Sequence, residues 1–315
     1  MNTIVPAIEV QGLRKSFGEN HAVQGVSFKV DQGEIFSLLG PNGAGKTTTI
    51  SMLSCLLHPD EGDAQIMGHS ISTNQRGVKS VLGVVPQDIA LYEDLTAREN
   101  LVFWGKMYGL RGTALKSRVD EVLDVIGLRD RASERVGKYS GGMKRRVNIG
   151  VALLHKPKVI YMDEPTVGID PQSRRNILDS VILLKNEGMT VLYTTHYMEE
   201  AQEISDHIGI MDHGQLIAHG THDELVKMVG QQTRIDLTLN GNMDTVIPAW
   251  KELADVSRIT LNGELISVLV QDSNLTLPHL FETATKYSAR ITSVNISEPN
   301  LEAVFLHLTG RALRD

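Results

Sequence analysis

One stretch of nine residues constrains this chain most, because it matches the phosphate-binding spacing G-x-x-x-x-G-K-[ST] at every fixed position. The stretch is Gly40, Pro41, Asn42, Gly43, Ala44, Gly45, Lys46, Thr47 and Thr48. The apolar run 35–39 before it predicts a buried strand, and residues 47–57 suit a helix that stops before Pro59. The motif needs this context of strand, loop and helix to bind phosphate. A glycine-rich turn that binds nothing is the alternative.

The residue types in this loop suit the phosphates of a nucleotide. Glycine at positions 40, 43 and 45 allows backbone angles that other residues avoid, so successive N–H groups can turn toward one anion at a helix N-terminus. Lys46 is then placed to reach the β- and γ-phosphates, and the Thr47 hydroxyl to bind Mg²⁺. The loop alone leaves open which nucleotide binds and what its hydrolysis drives.

Length and composition narrow the class of protein. The 315 residues suggest two domains at the usual size of about 150 residues each. Lys and Arg number 31 against 38 Asp and Glu, a net charge of −7, so the positive charge typical of nucleic-acid binding is missing. The single cysteine, Cys55, cannot form an intrachain disulfide, and a reducing cytoplasm is the expected compartment. No apolar run approaches the roughly 18 residues of a membrane span, so another chain would have to provide one.

Three more apolar runs predict buried strands that end in polar side chains. The runs are residues 81–85, 158–162 and 190–195, and the polar residues that follow them are Gln87, Asp163 with Glu164, and His196. Pro86 supports the first strand end, because proline has no N–H to donate to a central strand pairing. Since the carboxyl ends of parallel strands meet at one edge of a sheet, these side chains are predicted to lie around the glycine-rich loop.

The adjacent carboxylates Asp163 and Glu164 predict two separate tasks. Consecutive strand residues point to opposite faces, so one side chain can hold Mg²⁺ while the other orients or deprotonates the attacking water. A surface pair that caps a turn is the alternative for the two carboxylates. A purely structural histidine at a strand end is the alternative for His196.

A helical insertion of about residues 89–155 is predicted inside this α/β frame by its helical periodicity. Within it, Ser140, Gly141 and Gly142 open a helix and form a second backbone nest that suits a terminal phosphate. An ordinary helix cap is the alternative. The basic triplet that follows, residues 144–146, predicts a solvated helix face.

The pattern changes at about residue 230, and a second domain is predicted from there onward. Strand signals at residues 234–239, 257–261, 265–270 and 290–295 are interspersed with helix signals at 244–253, 277–287 and 300–308. The order βαββαβ followed by a helix predicts a small ferredoxin-like α+β domain. The expected domains are residues 1–228 and 229–315, and the lack of a catalytic constellation in the second favours a regulatory or assembly role.

The succession of motifs over about residues 7–228 resembles the nucleotide-binding subunit of an ATP-binding cassette (ABC) transporter. The resemblance implies a P-loop NTPase (RecA-like) core with a β subdomain and the helical insertion. It implies nucleotide contacts from Phe17, which stacks on adenine, from the glycine-rich loop, and from Ser140, Gly141, Gly142 and Asp170. It also implies metal contacts from Thr47, Gln87 and Asp163, and catalytic roles for Lys46, Gln87, Glu164 and His196. Met143 departs from the glutamine that is usual in the family.

In that family two such subunits sandwich two ATP molecules with Mg²⁺, and residues 140–142 of each copy contact the nucleotide on the other. The expected partners are a second copy of the chain, as a homodimer, and a separate integral-membrane permease, with no nucleic acid. Residues 298–311 look like the C-terminal extension of drug- and antibiotic-exporting ATPase subunits. This implies export and a peripheral place on the inner face of the cell membrane. A soluble ABC ATPase that acts on ribosomes or DNA is the alternative.

Overall fold

The computed structural model describes residues 5–228, 233–241, 243–263, 265–297 and 300–310. The chain divides into two compact units, with the boundary between His222 and Asp223. The sequence prediction placed this boundary slightly later, after residue 228. None of the helices in the described ranges has the length and apolarity that a membrane crossing requires.

Within the described residues, ten strands form two sheets in the first unit. They are β1 (Ile8–Phe17), β2 (Asn20–Val30), β3 (Ile35–Leu39), β4 (Glu61–Ile66), β5 (His69–Ser70), β6 (Leu82–Val85), β7 (Val159–Asp163), β8 (Thr190–Thr195), β9 (His207–Asp212) and β10 (Gln215–Gly220). One sheet is antiparallel, in the order β2-β1-β4-β5. The other has the order β10-β9-β3-β8-β7-β6 and is parallel except for β10, which returns from β9 as a hairpin.

Helices surround the larger sheet. They are α1 (Lys46–Leu53), α2 (Gln75–Val81), α3 (Ala97–Met107), α4 (Gly112–Val125), α5 (Gly141–Leu153), α6 (Pro171–Asn186) and α7 (Met198–Ile204). A further helix, α8 (His222–Met228), begins at the boundary between the two units. Two short 3₁₀ turns, Arg129–Arg131 and Val136–Lys138, lead from α4 into α5. One apolar core lies between α3, α4, α5, α6 and the parallel sheet, and a second joins the two sheets and α1.

The strand order explains where polar side chains collect. Every residue of β3, β7 and β8 is buried, as expected for apolar and β-branched runs in a parallel sheet with both faces covered. The glycine-rich loop leaves the carboxyl end of β3, which lies between β9 and β8, and β7 and β6 follow. The residues after β6, β7 and β8 therefore lie along the same edge as the loop.

The second unit is a four-stranded sheet with helices. Its elements are β11 (Thr233–Asn240), α9 (Met243–Lys251), β12 (Val256–Asn262), β13 (Leu265–Val270), α10 (Ser273–Lys286), β14 (Arg290–Ser297) and α11 (Leu301–Thr309). The strand order is β12-β13-β11-β14, and each neighbouring pair is antiparallel. Trp250 is fully buried in its core and donates from Nε1 to the Leu280 carbonyl at 3.1 Å.

The basic triplet of α5 does not form the solvated face that the sequence predicted. Arg145 is only 3% exposed. Lys144 pairs with Glu93 at 2.5 Å, and Arg146 donates to the Ile126 carbonyl at 3.1 Å. The prediction is wrong because a run of charges does not reveal that neighbouring segments present carbonyl and carboxylate oxygens to it.

Candidate active site

A pocket of about 720 Å³ lies at the carboxyl edge of the parallel sheet. It brings together most of the residues that the motifs predicted. From the loop it is lined by Asn42, Gly43, Ala44, Gly45, Lys46, Thr47 and Thr48, and from other segments by Phe17, Gln87, Glu164 and His196. The remaining predicted site residues, which do not line it, are Gly40, Pro41, Ser140, Gly141, Gly142, Asp163 and Asp170.

Two glycines of the loop are required by close backbone packing. Gly45 caps the N-terminus of α1 with a φ of 99°, and a Cβ there would lie 2.4 Å from the Ala22 carbonyl oxygen. A Cβ on Gly40 would lie 2.2 Å from the Met211 carbonyl oxygen. The loop can therefore follow this path to the helix start only with glycine at both positions. The N-terminal N–H groups of α1 and its dipole make the pocket floor suitable for phosphate.

Lys46 is a buried cation at the base of the pocket. Its side chain is 4% exposed, and its Nζ donates to the carbonyl oxygens of Gly40 at 2.6 Å and Pro41 at 3.1 Å. The same nitrogen lies 2.9 Å from Glu164 Oε1. A buried positive charge at the start of the helix that follows a glycine-rich loop fits a phosphate group.

Glu164 follows β7 in an unusual backbone conformation. Its φ is 43°, in the left-handed region that few residues other than glycine adopt, at a typical cost of about 1–3 kcal/mol. Its backbone N–H donates to Thr194 Oγ1 at 2.9 Å, and this hydroxyl donates to Asp163 Oδ1 at 2.6 Å. One threonine of β8 thus holds both carboxylate residues in place, with Glu164 in the pocket and Asp163 buried beside it.

His196 directly follows β8 and lies against Glu164. Its Nδ1 is 3.4 Å from Glu164 Oε2, and the ring packs on Tyr197 with the centroids 4.2 Å apart. This nitrogen is buried and has no hydrogen-bond partner among the described residues. Gln87 reaches the same pocket from the end of β6.

Several pocket residues lie outside the predicted motifs. They are Asn20, His21, Ala22, Gln24, Val167, His213 and Gly214. The first four follow Phe17 closely in the sequence, so the expected contact of Phe17 with the nucleotide could have indicated that they lie near the pocket. The sequence predicts a hairpin turn at residues 212–214 but not its place in the pocket, because tertiary hydrogen bonds hold it there. Gly214 N donates to the Ala44 carbonyl at 3.0 Å, and Gln24 N donates to the Gly214 carbonyl at 2.8 Å.

The starts of α5 and α6 form a separate surface outside the pocket. Ser140 caps α5 by accepting from Met143 N at 3.3 Å, and Asp170 caps α6 by accepting from Ser173 N at 2.9 Å. Hydrogen bonds from Ser173 hold the pKa of Asp170 below its ordinary value. The two helix starts touch, since a Cβ on Gly142 would lie 2.2 Å from the Ser173 Cβ. Ser140, Gly141 and Asp170 are exposed.

Comparison with known proteins identifies the family. Residues 23–167 match the ABC transporter family. A linearmycin resistance ATP-binding protein of Bacillus subtilis is 47% identical over 310 residues, which cover 98% of this chain and all of that relative. The chain belongs to the ABC transporter family. A daunorubicin resistance ATP-binding protein of Streptomyces coeruleorubidus is 37% identical, with 96% of each chain covered. A Nod factor export ATP-binding protein I of Ralstonia nicotianae is 38% identical over 98% of this chain and 96% of its own.

Solved structures agree with this assignment. The ATP-binding subunit of an ABC transporter superposes with a TM-score of 0.64 and 31% identity over 71% of this chain and 93% of that one. An ATP-binding cassette in its ADP conformation gives a TM-score of 0.63 with 28% identity over 70% and 92% of the two chains. The P-loop NTPase fold and the predicted ATPase activity are thereby confirmed for this ABC ATPase. These relatives, named for transport, resistance or export, give no support to an action on ribosomes or DNA.

Proposed function

We propose that this ABC ATPase binds MgATP in the pocket, pairs with a second copy of itself, and powers export through a separate permease. One observation carries the proposal. The pocket joins Lys46, Gln87, Glu164 and His196, whereas the exposed start of α5 lies outside it. Two copies that face one another can complete each pocket with the helix starts of the partner.

The proposed division of labour follows from the positions of the side chains. Lys46 holds the β- and γ-phosphates, because it is the buried cation at the start of α1. Glu164 orients the attacking water and takes up its proton, and His196 beside it contacts the γ-phosphate. The left-handed backbone of Glu164 and its bond to Thr194 fix this carboxylate in the pocket.

Mg²⁺ fits the oxygen-rich donors at the strand ends. Mg²⁺ prefers oxygen ligands and is usually held by one or two protein groups together with substrate phosphates. We assign it to the Thr47 hydroxyl and the Gln87 side-chain oxygen, which line the pocket, and to the buried carboxylate of Asp163. When bound, the ion supplies charge neutralisation between the β- and γ-phosphates.

Phe17 is the proposed platform for the adenine base. Its ring is 52% exposed although it lines the pocket, so one face is open to a planar partner. Lys15 Nζ lies 5.9 Å from the ring centroid, which adds a cation beside the stacking surface. Stacking on an aromatic face is tolerant of the base, so this contact supplies affinity more than selectivity.

The starts of α5 and α6 are proposed to contact the nucleotide of the partner subunit. Both helices exceed twelve residues, and their positive ends touch at an exposed surface that carries Ser140, Gly141 and Asp170, with Gly142 buried beside Ser173. Backbone N–H groups at a helix start suit a terminal phosphate. The homodimer is then part of the chemistry.

An aromatic patch on the helical insertion is the proposed permease contact. We define it as Tyr92, Phe103 and Met107, whose side chains are 49%, 36% and 68% exposed. The rings of Tyr92 and Phe103 meet edge to face at 4.9 Å. Such contiguous apolar surface marks protein contacts, and this one adjoins the segment that carries Gln87. A permease bound here would hold the ATPase on the cytoplasmic face of the membrane, away from any nucleic acid.

The cargo class and the role of the second unit are further parts of the proposal. The relatives are named for resistance to linearmycin and daunorubicin and for export of Nod factor, which favours outward transport of a small natural product. The strand order β12-β13-β11-β14 with crossing helices supports a ferredoxin-like domain. We assign the unit that ends at His222 to nucleotide binding and the unit that begins at Asp223 to assembly or regulation.

Replacement of Glu164 by glutamine tests the catalytic assignment. The Glu164→Gln variant should bind MgATP and form a dimer on size-exclusion chromatography, yet hydrolyse about 10²–10⁴-fold more slowly, because the base is lost. Glu187→Gln, at the exposed end of α6, is the matched control and should keep normal turnover. Unchanged turnover in Glu164→Gln would remove Glu164 from the proposed mechanism.

A further inference from the structure

Arg145 is a buried charge that the proposed mechanism does not use. It lies on α5, one turn after Ser140, and is 3% exposed without lining the pocket. Its two terminal nitrogens donate to successive backbone carbonyls, that of Pro86 at 2.7 Å and that of Gln87 at 2.6 Å. Burial lowers the pKa of its guanidinium, which the nearby charge of Asp88 opposes.

The two carbonyls that Arg145 binds belong to the segment that delivers Gln87 to the pocket. β6 ends at Val85, so residues 86 and 87 have left the hydrogen-bonding pattern of the sheet. A planar guanidinium can donate to two neighbouring oxygens at once, which fixes both position and orientation. The Gln87 backbone is therefore tied to α5 while the residue lines the pocket.

The other end of this segment is held by the same helix. Lys144 Nζ pairs with Glu93 Oε1 at 2.5 Å. Between the two ties, the backbone of Tyr92 exchanges hydrogen bonds with the Asn100 side chain, at 2.8 Å to its N–H and 2.9 Å to its carbonyl. Residues 86–93, which include part of the aromatic patch, are thus attached to α5 at both ends.

We propose that Arg145 is a positioning residue that makes the Gln87 segment move as one body with α5. The inference rests on the proposed function, in which Gln87 serves the chain's own nucleotide and the start of α5 serves the partner's. A displacement of α5 by the partner's nucleotide would then shift Gln87 in the chain's own pocket. Arg145 would in this way couple the two nucleotide sites of a dimer. The physical basis is a single buried donor group shared by two backbone acceptors.

The test compares Arg145→Gln and Arg145→Lys with Arg146→Gln. The control, Arg146→Gln, removes a neighbouring arginine of the same helix. Arg146 also donates to two backbone carbonyls, those of Ile126 at 3.1 Å and Gly127 at 3.4 Å, but these residues are far in sequence from Gln87. Arg145→Gln should lower kcat for ATP by about 10–100-fold with KM changed less than about twofold, since a displaced catalytic group loses rate without losing the phosphate loop. Arg145→Lys should recover part of this loss, and Arg146→Gln should retain normal kcat.

Two further readouts separate positioning from general destabilisation. Amide hydrogen exchange should accelerate at residues 87–92 in Arg145→Gln and at the end of α4 in Arg146→Gln. In a background of Gln87→Ala, the added Arg145→Gln change should lower kcat by less than about twofold, because both changes act on one group. Additive losses, or a loss of kcat in Arg146→Gln equal to that in Arg145→Gln, would overturn the proposal.

The outcomes also distinguish this inference from the proposed function. Normal kcat in Gln87→Ala would refute the role of Gln87 in hydrolysis, regardless of the amide hydrogen exchange rates. A second outcome would refute the positioning role alone. In it, Gln87→Ala has a lowered kcat, whereas Arg145→Gln has a normal kcat although amide hydrogen exchange is faster at residues 87–92.

Discussion

Lys46 and Glu164 are the pair on which the site depends at the scale of residues. Their side chains are 4% and 6% exposed and meet at 2.9 Å, so removal of either leaves the other charge buried without its partner. Such unpaired burial typically costs about 3–5 kcal/mol. Substitutions that neutralise one member therefore change local stability as well as chemistry, and activity should be expressed per folded molecule.

Gly45 gives a prediction that isolates the packing of the phosphate loop. Gly45→Ala introduces a Cβ 2.4 Å from a backbone oxygen at a φ of 99° and should lower nucleotide affinity at least tenfold, with marked destabilisation. Gly68→Ala is the control, because its φ is 79° and nothing lies within 4 Å of the new Cβ. It should cost only about 1–2 kcal/mol of backbone strain and leave affinity intact. Equal effects of the two changes on nucleotide binding would contradict the account.

Most residues that line the pocket could be predicted from the sequence, because they lie in the glycine-rich loop or directly after apolar runs that form parallel strands. The spacing of the glycine-rich loop predicts Lys46, and the polar ends of apolar runs predict Gln87, Glu164 and His196. The left-handed backbone of Glu164 could not, since the Thr194 hydroxyl that holds it comes from another strand. The burial of Arg145 was missed for the same reason, as its acceptors lie 58 and 59 positions away in the chain.

At the scale of elements, apolar runs predicted the long strands and helices well. The seven-residue helices α2, α7 and α8 were not predicted, because so short a segment shows little periodicity. α10 begins at Ser273, four residues before the predicted start at 277, since Asp272 caps it by accepting from Asn274 N at 2.8 Å. Local capping, rather than hydrophobic periodicity, therefore determines where α10 begins.

His155 connects three elements and predicts a pH dependence of stability. It stacks on Tyr108 at the end of α3 with the centroids 4.2 Å apart, and its Nε2 lies 3.0 Å from the Leu82 carbonyl of β6. Burial lowers the pKa of His155 below its ordinary value of 6.5. The unfolded chain therefore binds a proton here more readily, so stability is full above about pH 6.5 and falls as the pH drops below it.

The His155→Gln variant should lose this component of the pH dependence. Urea unfolding at pH 7.5 and 5.5 should show a smaller loss of unfolding free energy for His155→Gln than for the unmodified chain. His279→Gln serves as the control, because that ring is 60% exposed. If the variant and the unmodified chain lose the same stability on acidification, His155 is not the group responsible.

At the scale of the whole molecule, the aromatic patch predicts a separation between ATPase activity and permease binding. Tyr92→Glu should abolish co-purification with a co-expressed permease partner, since a charge at the contact would be buried, while hydrolysis by the isolated chain continues. Leu56→Glu alters another exposed apolar residue, 75% exposed and outside the patch, and should preserve the complex. Retention of the permease by Tyr92→Glu would exclude the patch as its docking surface.

The central claim is that each ATP site is shared between two copies of the chain. Lys46→Ala removes the phosphate-binding cation, and Ser140→Arg blocks the start of α5, so each variant alone should be inactive. In a mixed dimer, the intact loop of the Ser140→Arg copy faces the intact α5 of the Lys46→Ala copy, and one complete site is restored. ATP hydrolysis should therefore reappear when the two purified variants are mixed. A mixture as inactive as its separate components would contradict the shared site.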